Sequence, residues 1–340
     1  MSTKSKIEWT DATWNPVTGC GKVSQGCKNC YAEREWPRLT KLVPAYAGRD
    51  FTDVRTHPDR LDQPLHWKRP RRVFVNSMSD LFHESVPDEF IIEVFGTMAL
   101  AKQHTFQVLT KRPARMRELL SSFDFLMGVR DYVKYEPQAV SMLWPLPNVW
   151  LGVSVEDQAT AHKRIPLLLD TPAAVRWISA EPLLESVYLR GLFGLPTDDE
   201  DVRIDSLEGT FITSRYQETG TTLGSKLDWV VVGGESGPNA RPMHPKWVRN
   251  LRDQCAAAGV PFMFKQWGEW APSKTLPNDT LLAYERWCWI SENGGDPDTM
   301  HHAPFKDELA HHELMGKVGK KVAGRLLDGI QHDAYPEVKP

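Results

Sequence analysis

The sequence lacks any run approaching the roughly 20 consecutive apolar residues that a membrane-crossing helix needs. Its opening stretch, MSTKSKIEWTDATWNP, has no apolar core, so no secretory signal peptide is expected. It also lacks a strong charge of one sign. The formal net charge is -3 and the sequence pI is near 6.4. That is no global footprint for binding nucleic acid, although a local basic groove stays open. Cysteine is scarce: there are five, an odd count that does not suit a disulfide framework in a reducing compartment. Together these absences lead to the expectation of a soluble, cytoplasmic protein with no membrane association.

What is present is ordinary for a globular chain: 340 residues, 41% hydrophobic and 25% charged. That length holds one large α/β domain or two small ones. Thirteen tryptophans are many. Trp150, Trp177, Trp229 and Trp247 sit on apolar patterns and are expected to pack the core and its rim.

One unit recurs along the chain: a short β-branched or aromatic run, a polar tip, then a helical stretch. The clear strands are 72–76, 106–109, 149–153, 175–178, 229–232 and 261–264, with a further strand suggested before Cys20. Pro87 is placed to open a helix whose apolar residues, Phe90, Ile91, Val94, Phe95 and Met98, recur at helical spacing. Near-continuous apolar strands alternating with helices indicate a parallel sheet buried on both faces. The expected fold is therefore α/β, a partial (β/α) barrel of about six parallel strands with helices outside. Residues 1–272 would form it, and 273–340 a C-terminal extension packed on it. Two insertions are expected, at about 120–147 and 189–227, the second a mobile excursion suited to a lid or a partner protein. A short helix is expected to reach about Asp328, with Gly329 as its C-cap. Each clear strand ends in polar residues, which points to a common pocket at the strand ends.

Three of the five cysteines fall close together as Cys20, Cys27 and Cys30, spaced CxxxxxxCxxC. Glycines 19, 21 and 26 let the backbone wrap closely. Structural zinc takes four protein ligands, and no fourth Cys or His lies in this stretch. Three thiolates with an open position suit a [4Fe-4S] cluster. Zinc completed by a distant His, and a cysteine cluster without metal, are the alternatives. Cys255 follows the helical pattern of Trp247, Val248 and Leu251 and is expected in the core, while Cys288 has no clear placement. His301-His302 and His311-His312 fit a solvated tail better than a metal site.

Several stretches resemble the radical SAM (S-adenosylmethionine) superfamily, more closely a branch carried by phages and prophages, and distantly spore photoproduct lyase. They are Trp14–Cys20, Cys27–Glu33, Asn76–Phe82, Leu109–Pro113, Gly152–Glu156, Ser179–Leu183, Gly233–Gly237, Phe264–Gly268 and Gly319–Arg325. The usual superfamily motif is CxxxCxxC, and this chain departs from it with six residues in the first gap. The resemblance implies a [4Fe-4S] cluster on Cys20, Cys27 and Cys30 and S-adenosylmethionine at the open iron. It further implies a 5′-deoxyadenosyl radical that takes hydrogen from substrate, and an electron donor protein. Tyr31 would pack by the adenine. Ser77, Ser79 and Asp80 would meet the amino acid end of S-adenosylmethionine, or else form a turn. Lys111 and Arg112 would pair with its carboxylate or with a substrate phosphate. Ser154 and Glu156 would reach the ribose hydroxyls, or cap a helix. Gly233, Gly234, Glu235 and Ser236 resemble a cofactor loop. Glu181 and Lys265, with Gln266, are the catalytic and substrate-side candidates. The expected substrate class is a nucleic acid base or nucleotide. Competing readings are a zinc-containing nucleic-acid module, supported by the basic stretches at Lys68–Arg72 and Lys317–Arg325, and an inactive scaffold that docks a partner.

Overall fold

A computed structural model describes residues 5, 7–135, 142–193, 202–213, 219–222, 224–277, 287–294 and 309–337. It divides into two compact units. The first comprises Met1–Ser154 with Leu167–Trp177, and the second Val155–Pro166 with Ile178–Pro340. In chain order, the first holds β1 (Ala12–Trp14), β2 (Val17–Thr18), α1 (Tyr31–Leu42), β3 (Arg55–Thr56), β4 (Arg72–Val75) and α2 (Asp88–Leu100). It continues with β5 (Thr105–Thr110), α3 (Pro113–Leu120), α4 (Phe123–Tyr135) and β6 (Val149–Ser154). The division runs through α5 (Gln158–Leu169) and β7 (Val175–Ala180). The second unit then carries β8 (Arg190–Leu192), β9 (Val202–Asp205), β10 (Thr210–Thr213), β11 (Thr219–Thr222) and β12 (Trp229–Gly233). After these come α6 (Pro245–Ala257), β13 (Phe262–Gln266), β14 (Trp270–Pro272), β15 (Trp287–Ser291) and β16 (His312–Lys317).

Seven strands form one sheet in the order β1-β4-β5-β6-β7-β12-β13. The pairs β1/β4, β4/β5, β5/β6 and β12/β13 are parallel. With helices around it, this is the expected α/β partial barrel, one strand larger than the clear runs suggested. The seventh strand is β1, the one suggested before Cys20. It is only three residues long and too short to carry a periodicity signal. Every residue of β6 and of β12 is buried, the signature of strands covered on both faces. Among the described residues no helix is long and apolar enough to cross a membrane.

The tryptophans behave as expected and also do more. Trp150, Trp177, Trp229 and Trp247 are at most 3% exposed. Buried indole N–H groups need acceptors, and four of them here take backbone carbonyls distant in sequence. Trp14 donates to Arg60 O at 2.7 Å, and Trp229 to Ala334 O at 2.8 Å. Trp267 donates to Leu326 O at 2.9 Å, and Trp270 to Ala240 O at 2.7 Å. Each indole thus holds a segment with little apolar surface of its own against a packed element. Cys255 is fully buried on α6, as expected, and burial pushes its thiol up to about 12. Cys288 is buried in β15.

The expected insertion at 120–147 contains α4, which lies on α2. The Phe95 and Phe125 rings meet edge-on at 5.5 Å. Positions 136–141 fall outside the described residues. The segment 189–227, where the sequence suggested a mobile excursion, contains an antiparallel sheet ordered β11-β10-β9-β8, while positions 194–201, 214–218 and 223 fall outside the described residues. The tail departs from expectation. Helix after β16 covers only Lys320–Ala323. Gly329 is no helix cap. Asp328 and Gly329 both have positive φ, 53° and 79°, and Leu327 and Ile330 exchange backbone hydrogen bonds at 3.0 Å around them. That is a two-residue hairpin turn, for which Asp-Gly is a preferred pair. The chain beyond it covers the outer edge of β13, where Met263 bridges Asp333 and Phe264 N–H donates to His332 O at 3.0 Å. Pro87 sits one residue outside α2, at its N-cap.

The β6 strand depends on one side chain being absent. A Cβ on Gly152 would lie 2.5 Å from Cε2 of the fully buried Trp177. Gly152→Ala should therefore overpack this contact and lower unfolding free energy by about 1–3 kcal/mol. The midpoint of urea unfolding measures it, and an unchanged midpoint would show that Trp177 has room to yield.

Candidate functional site

The three thiols lie on the loop that follows β2 in the first unit. Its entrance is rigid. Gly19 has φ +92°, and a Cβ there would stand 2.4 Å from Asp53 O, so only glycine passes. Gly19 N–H donates to Met78 O at 3.1 Å and Cys20 N–H to Phe51 O at 2.9 Å. A 3-10 turn at Gln25–Cys27 buries Cys27, and Cys30 occupies the N-cap of α1. All three cysteines are free thiols. Cys30 acts electrostatically on Cys20, and Cys27 and Cys30 both act on Lys22, which pairs with Glu33 at 2.8 Å. Tyr31, expected beside an adenine, is 56% exposed, with the Arg34 guanidinium 5.6 Å from its ring centroid.

Arg49 holds this loop from beneath, and sequence reasoning did not find it. It is 6% exposed. Its guanidinium donates to Thr18 Oγ1 at 3.0 Å, Thr18 O at 3.3 Å, Ala45 O at 2.8 Å, Asp53 O and Asp53 Oδ2 at 3.1 Å. Trp36 lies under its face, 5.4 Å away, and donates from Nε1 to Arg49 O at 2.8 Å. Arg49 thus fixes Thr18 just before Gly19, and also fixes the Asp53 carbonyl on which Gly19 rests. Beside it, Thr18 Oγ1 stands 2.8 Å from His57 Nε2. Burial, reinforced by Arg60, pushes His57 down to about 4, so its ring is neutral near pH 7. The only local signal was Asp53, four residues after Arg49.

The ends of β4 and β5 supply the wall beside Cys20. Ser77 Oγ donates to Asn15 Oδ1 at 3.2 Å and Ser79 Oγ to Val17 O at 2.8 Å. Both hydroxyls tie the segment after β4 to the β1–β2 stretch that leads into the loop. Asp80 is buried and accepts from Thr110 Oγ1 at 2.7 Å, Lys111 N at 3.0 Å and Phe82 N at 3.0 Å. Arg112 stands 3.3 Å from Asp80 Oδ2, and its Nε reaches Glu84 at 2.9 and 3.1 Å. The same guanidinium points Nη1 at Cys20 Sγ, 3.8 Å away, and Nη2 at Gly21 O, 3.4 Å away. Burial and then the Asp80 carboxylate push the Cys20 thiol up to about 11, with Arg112 opposing them. Strand ends far apart in sequence therefore converge on one thiol.

The second unit holds a separate polar cluster. Glu181, just past β7, accepts from Lys265 Nζ at 2.8 and 2.9 Å and from Gln266 Nε2 at 3.3 Å. Gln266 Nε2 also meets Ser236 Oγ at 3.1 Å, while its buried Oε1 has no hydrogen-bond partner. The glycines after β12 make room for this. A Cβ on Gly233 would press on the Glu181 carboxyl carbon at 3.1 Å, and one on Gly234 would lie 1.9 Å from Trp267 O. Glu235 is buried and gripped by Arg241, through its N–H at 2.8 Å and guanidinium at 2.6 and 2.9 Å. Glu156 is fully buried against Arg164 at 2.9 Å. The cap of α5 is made by Asp157 and Thr160, whose N–H donates to Asp157 Oδ1 at 2.7 Å. Ser154 is buried at the end of β6. His311 pairs with Glu292 at 2.9 Å, and His301-His302 lie outside the described residues.

The family described as a protein of unknown function, DUF5131, has a model that matches residues 4–336. The chain belongs to the DUF5131 family. No curated protein matches the chain, and no solved structure does.

For this DUF5131 chain the donor set can be weighed against a metal group. A structural zinc draws four ligands to one point. Among the described residues, no three His, Cys, Asp or Glu side chains form a group that could hold a metal ion as placed. A [4Fe-4S] cluster takes each thiolate at a different corner, so its cysteines stand farther apart than those around one ion. Cys20, Cys27 and Cys30 are free thiols on one pinned loop, the residue type that such a cluster takes.

Arg49→Met keeps an unbranched apolar stem and strips all five guanidinium hydrogen bonds from the clasp. It should cost about 2 kcal/mol or more, since buried carbonyls lose a charged donor. It should also speed alkylation of Cys20, read by peptide mass mapping. Unchanged stability and alkylation would show that the loop holds itself.

Proposed function

We propose that the chain is a radical SAM enzyme whose [4Fe-4S] cluster is held by Cys20, Cys27 and Cys30. The observation that carries this reading is the loop itself. Three free thiols share one glycine-gated loop, fixed from below by Arg49 and placed at the carboxyl ends of parallel strands β1 and β4. Strand ends are where α/β folds place their chemistry. When bound, such a cluster supplies one electron for reductive cleavage of S-adenosylmethionine, the chemistry that leads to hydrogen abstraction from substrate.

The chain's own residues have narrower tasks. Gly19 and Arg49 set the loop, and Ser77 and Ser79 lock the end of β4 to it. Asp80 orients Arg112 against Cys20. In the second unit, Glu181 and Lys265 form a paired acid and base, supported by Gln266 and packed on Gly233. Such a pair can bind a polar substrate group or hold a proton beside it. The substrate class we infer is a nucleic acid base or nucleotide. Its support is the distant likeness to spore photoproduct lyase and the exposed Lys68 and Arg69 in the basic stretch before β4.

Protein purified and reconstituted without oxygen should contain about four irons and four sulfides per chain. With dithionite and S-adenosylmethionine it should release methionine and 5′-deoxyadenosine. Cys27→Ala should lose both the iron and the cleavage while keeping the circular dichroism of the parent. One zinc per chain and no iron would overturn the reading.

A further inference from the structure

Arg112 stands against Cys20 with a chemistry that the proposed function leaves open. Sequence reasoning placed it as an anion-binding residue, free to meet a carboxylate or phosphate. In the structure it is 9% exposed and its donors are committed within the first unit. Nε is held by Glu84, Nη1 lies between Asp80 and Cys20 Sγ, and Nη2 faces Gly21 O. One guanidinium, itself held by two carboxylates, therefore stands beside a single thiol. Arg112 Nη1 donates a hydrogen bond to that sulfur at 3.8 Å.

We propose that Arg112 is a positioning and charge-setting residue for Cys20, which makes the group bound there easier to reduce. This rests on the reading of Cys20, Cys27 and Cys30 as cluster ligands. Reduction adds one negative charge to the cluster and its thiolates. A guanidinium N–H aimed at a ligand sulfur stabilises that charge, and hydrogen bonds to sulfur are a recognised control of cluster potential. Asp80 and Glu84 act in the opposite sense, because they are negative. They also hold the planar fork in place, so Arg112 cannot swing away to a substrate anion without abandoning both. A lysine at 112 would keep the charge and lose the fork.

The test is a redox titration of reconstituted protein, followed by electron paramagnetic resonance, with iron and sulfide measured on the same samples. Arg112→Leu should retain iron and sulfide while its cluster becomes at least tenfold harder to reduce, a midpoint about 59 mV more negative for one electron. Arg112→Lys should recover part of that shift. Arg112→Gln keeps polar N–H donors and loses the charge, so its midpoint should also move to more negative values. A cluster-bearing Arg112→Leu protein with an unchanged midpoint would overturn the role of Arg112 and leave the cluster reading intact. If Arg112→Leu fails to fold, an unmoved midpoint in a cluster-bearing Arg112→Gln protein overturns it equally. Parent protein that takes up no iron would overturn the cluster reading itself, and this inference with it.

Discussion

The thiol loop depends on one buried arginine. Arg49 makes five hydrogen bonds, three of them to backbone carbonyls of segments on either side of Gly19. A loop that must present several side chains toward one bound group cannot bury apolar surface to hold itself, because its side chains are needed elsewhere. Its backbone carbonyls must then be held by something outside it. A guanidinium suits this task, since its planar fork reaches several acceptors at once and stays charged. Trp36 completes the clasp by lying under the guanidinium and bonding to Arg49 O. Gly19 can then press against Asp53 O without displacing it.

The same device recurs at the strand ends. A strand buried on both faces leaves polar chemistry only its ends, and a carboxylate placed there is costly unless paired. Asp80 after β4 has Arg112, and Glu156 after β6 has Arg164. Glu181 after β7 has Lys265, and Glu235 after β12 has Arg241. Such pairs add little net stability, because desolvation offsets their attraction. What they give is a single geometry. Three are arginine pairs, which fix orientation; the fourth is a lysine pair with 12% and 22% side-chain exposure, reached more easily by solvent or a ligand. The one pair with a flexible point charge is the one whose residues also read as catalytic.

Much of this architecture was legible in the sequence. Apolar runs of four or five residues between helical patterns located β4 to β7, β12 and β13, because strands covered on both faces need no alternation. The polar residues after each strand were legible too. Their partners were not. Lys265 lies 84 residues from Glu181, and Arg112 lies 92 from Cys20, separations that no local pattern encodes. Arg49 was missed for the same reason: its acceptors are mostly carbonyls, which leave no mark on a sequence. The tail was misread because Lys320–Arg325 has helical composition, whereas Asp328-Gly329 is better satisfied as a hairpin turn against the edge of β13.

A buried polar cluster is as robust as the bonds that hold it, and here those bonds are grouped. Every hydrogen bond named around Cys20 has both partners in the first unit, and every one around Glu181 has both in the second. Losing Arg112 leaves Glu181 with both Lys265 contacts, and losing Lys265 leaves Arg112 with Asp80 and Glu84. Mutational effects at separate, unshared networks tend to add. A shared role in one reaction would instead appear as strong non-additivity in turnover without any in stability. That contrast separates two structural clusters that merely share a chain from two parts of one active centre.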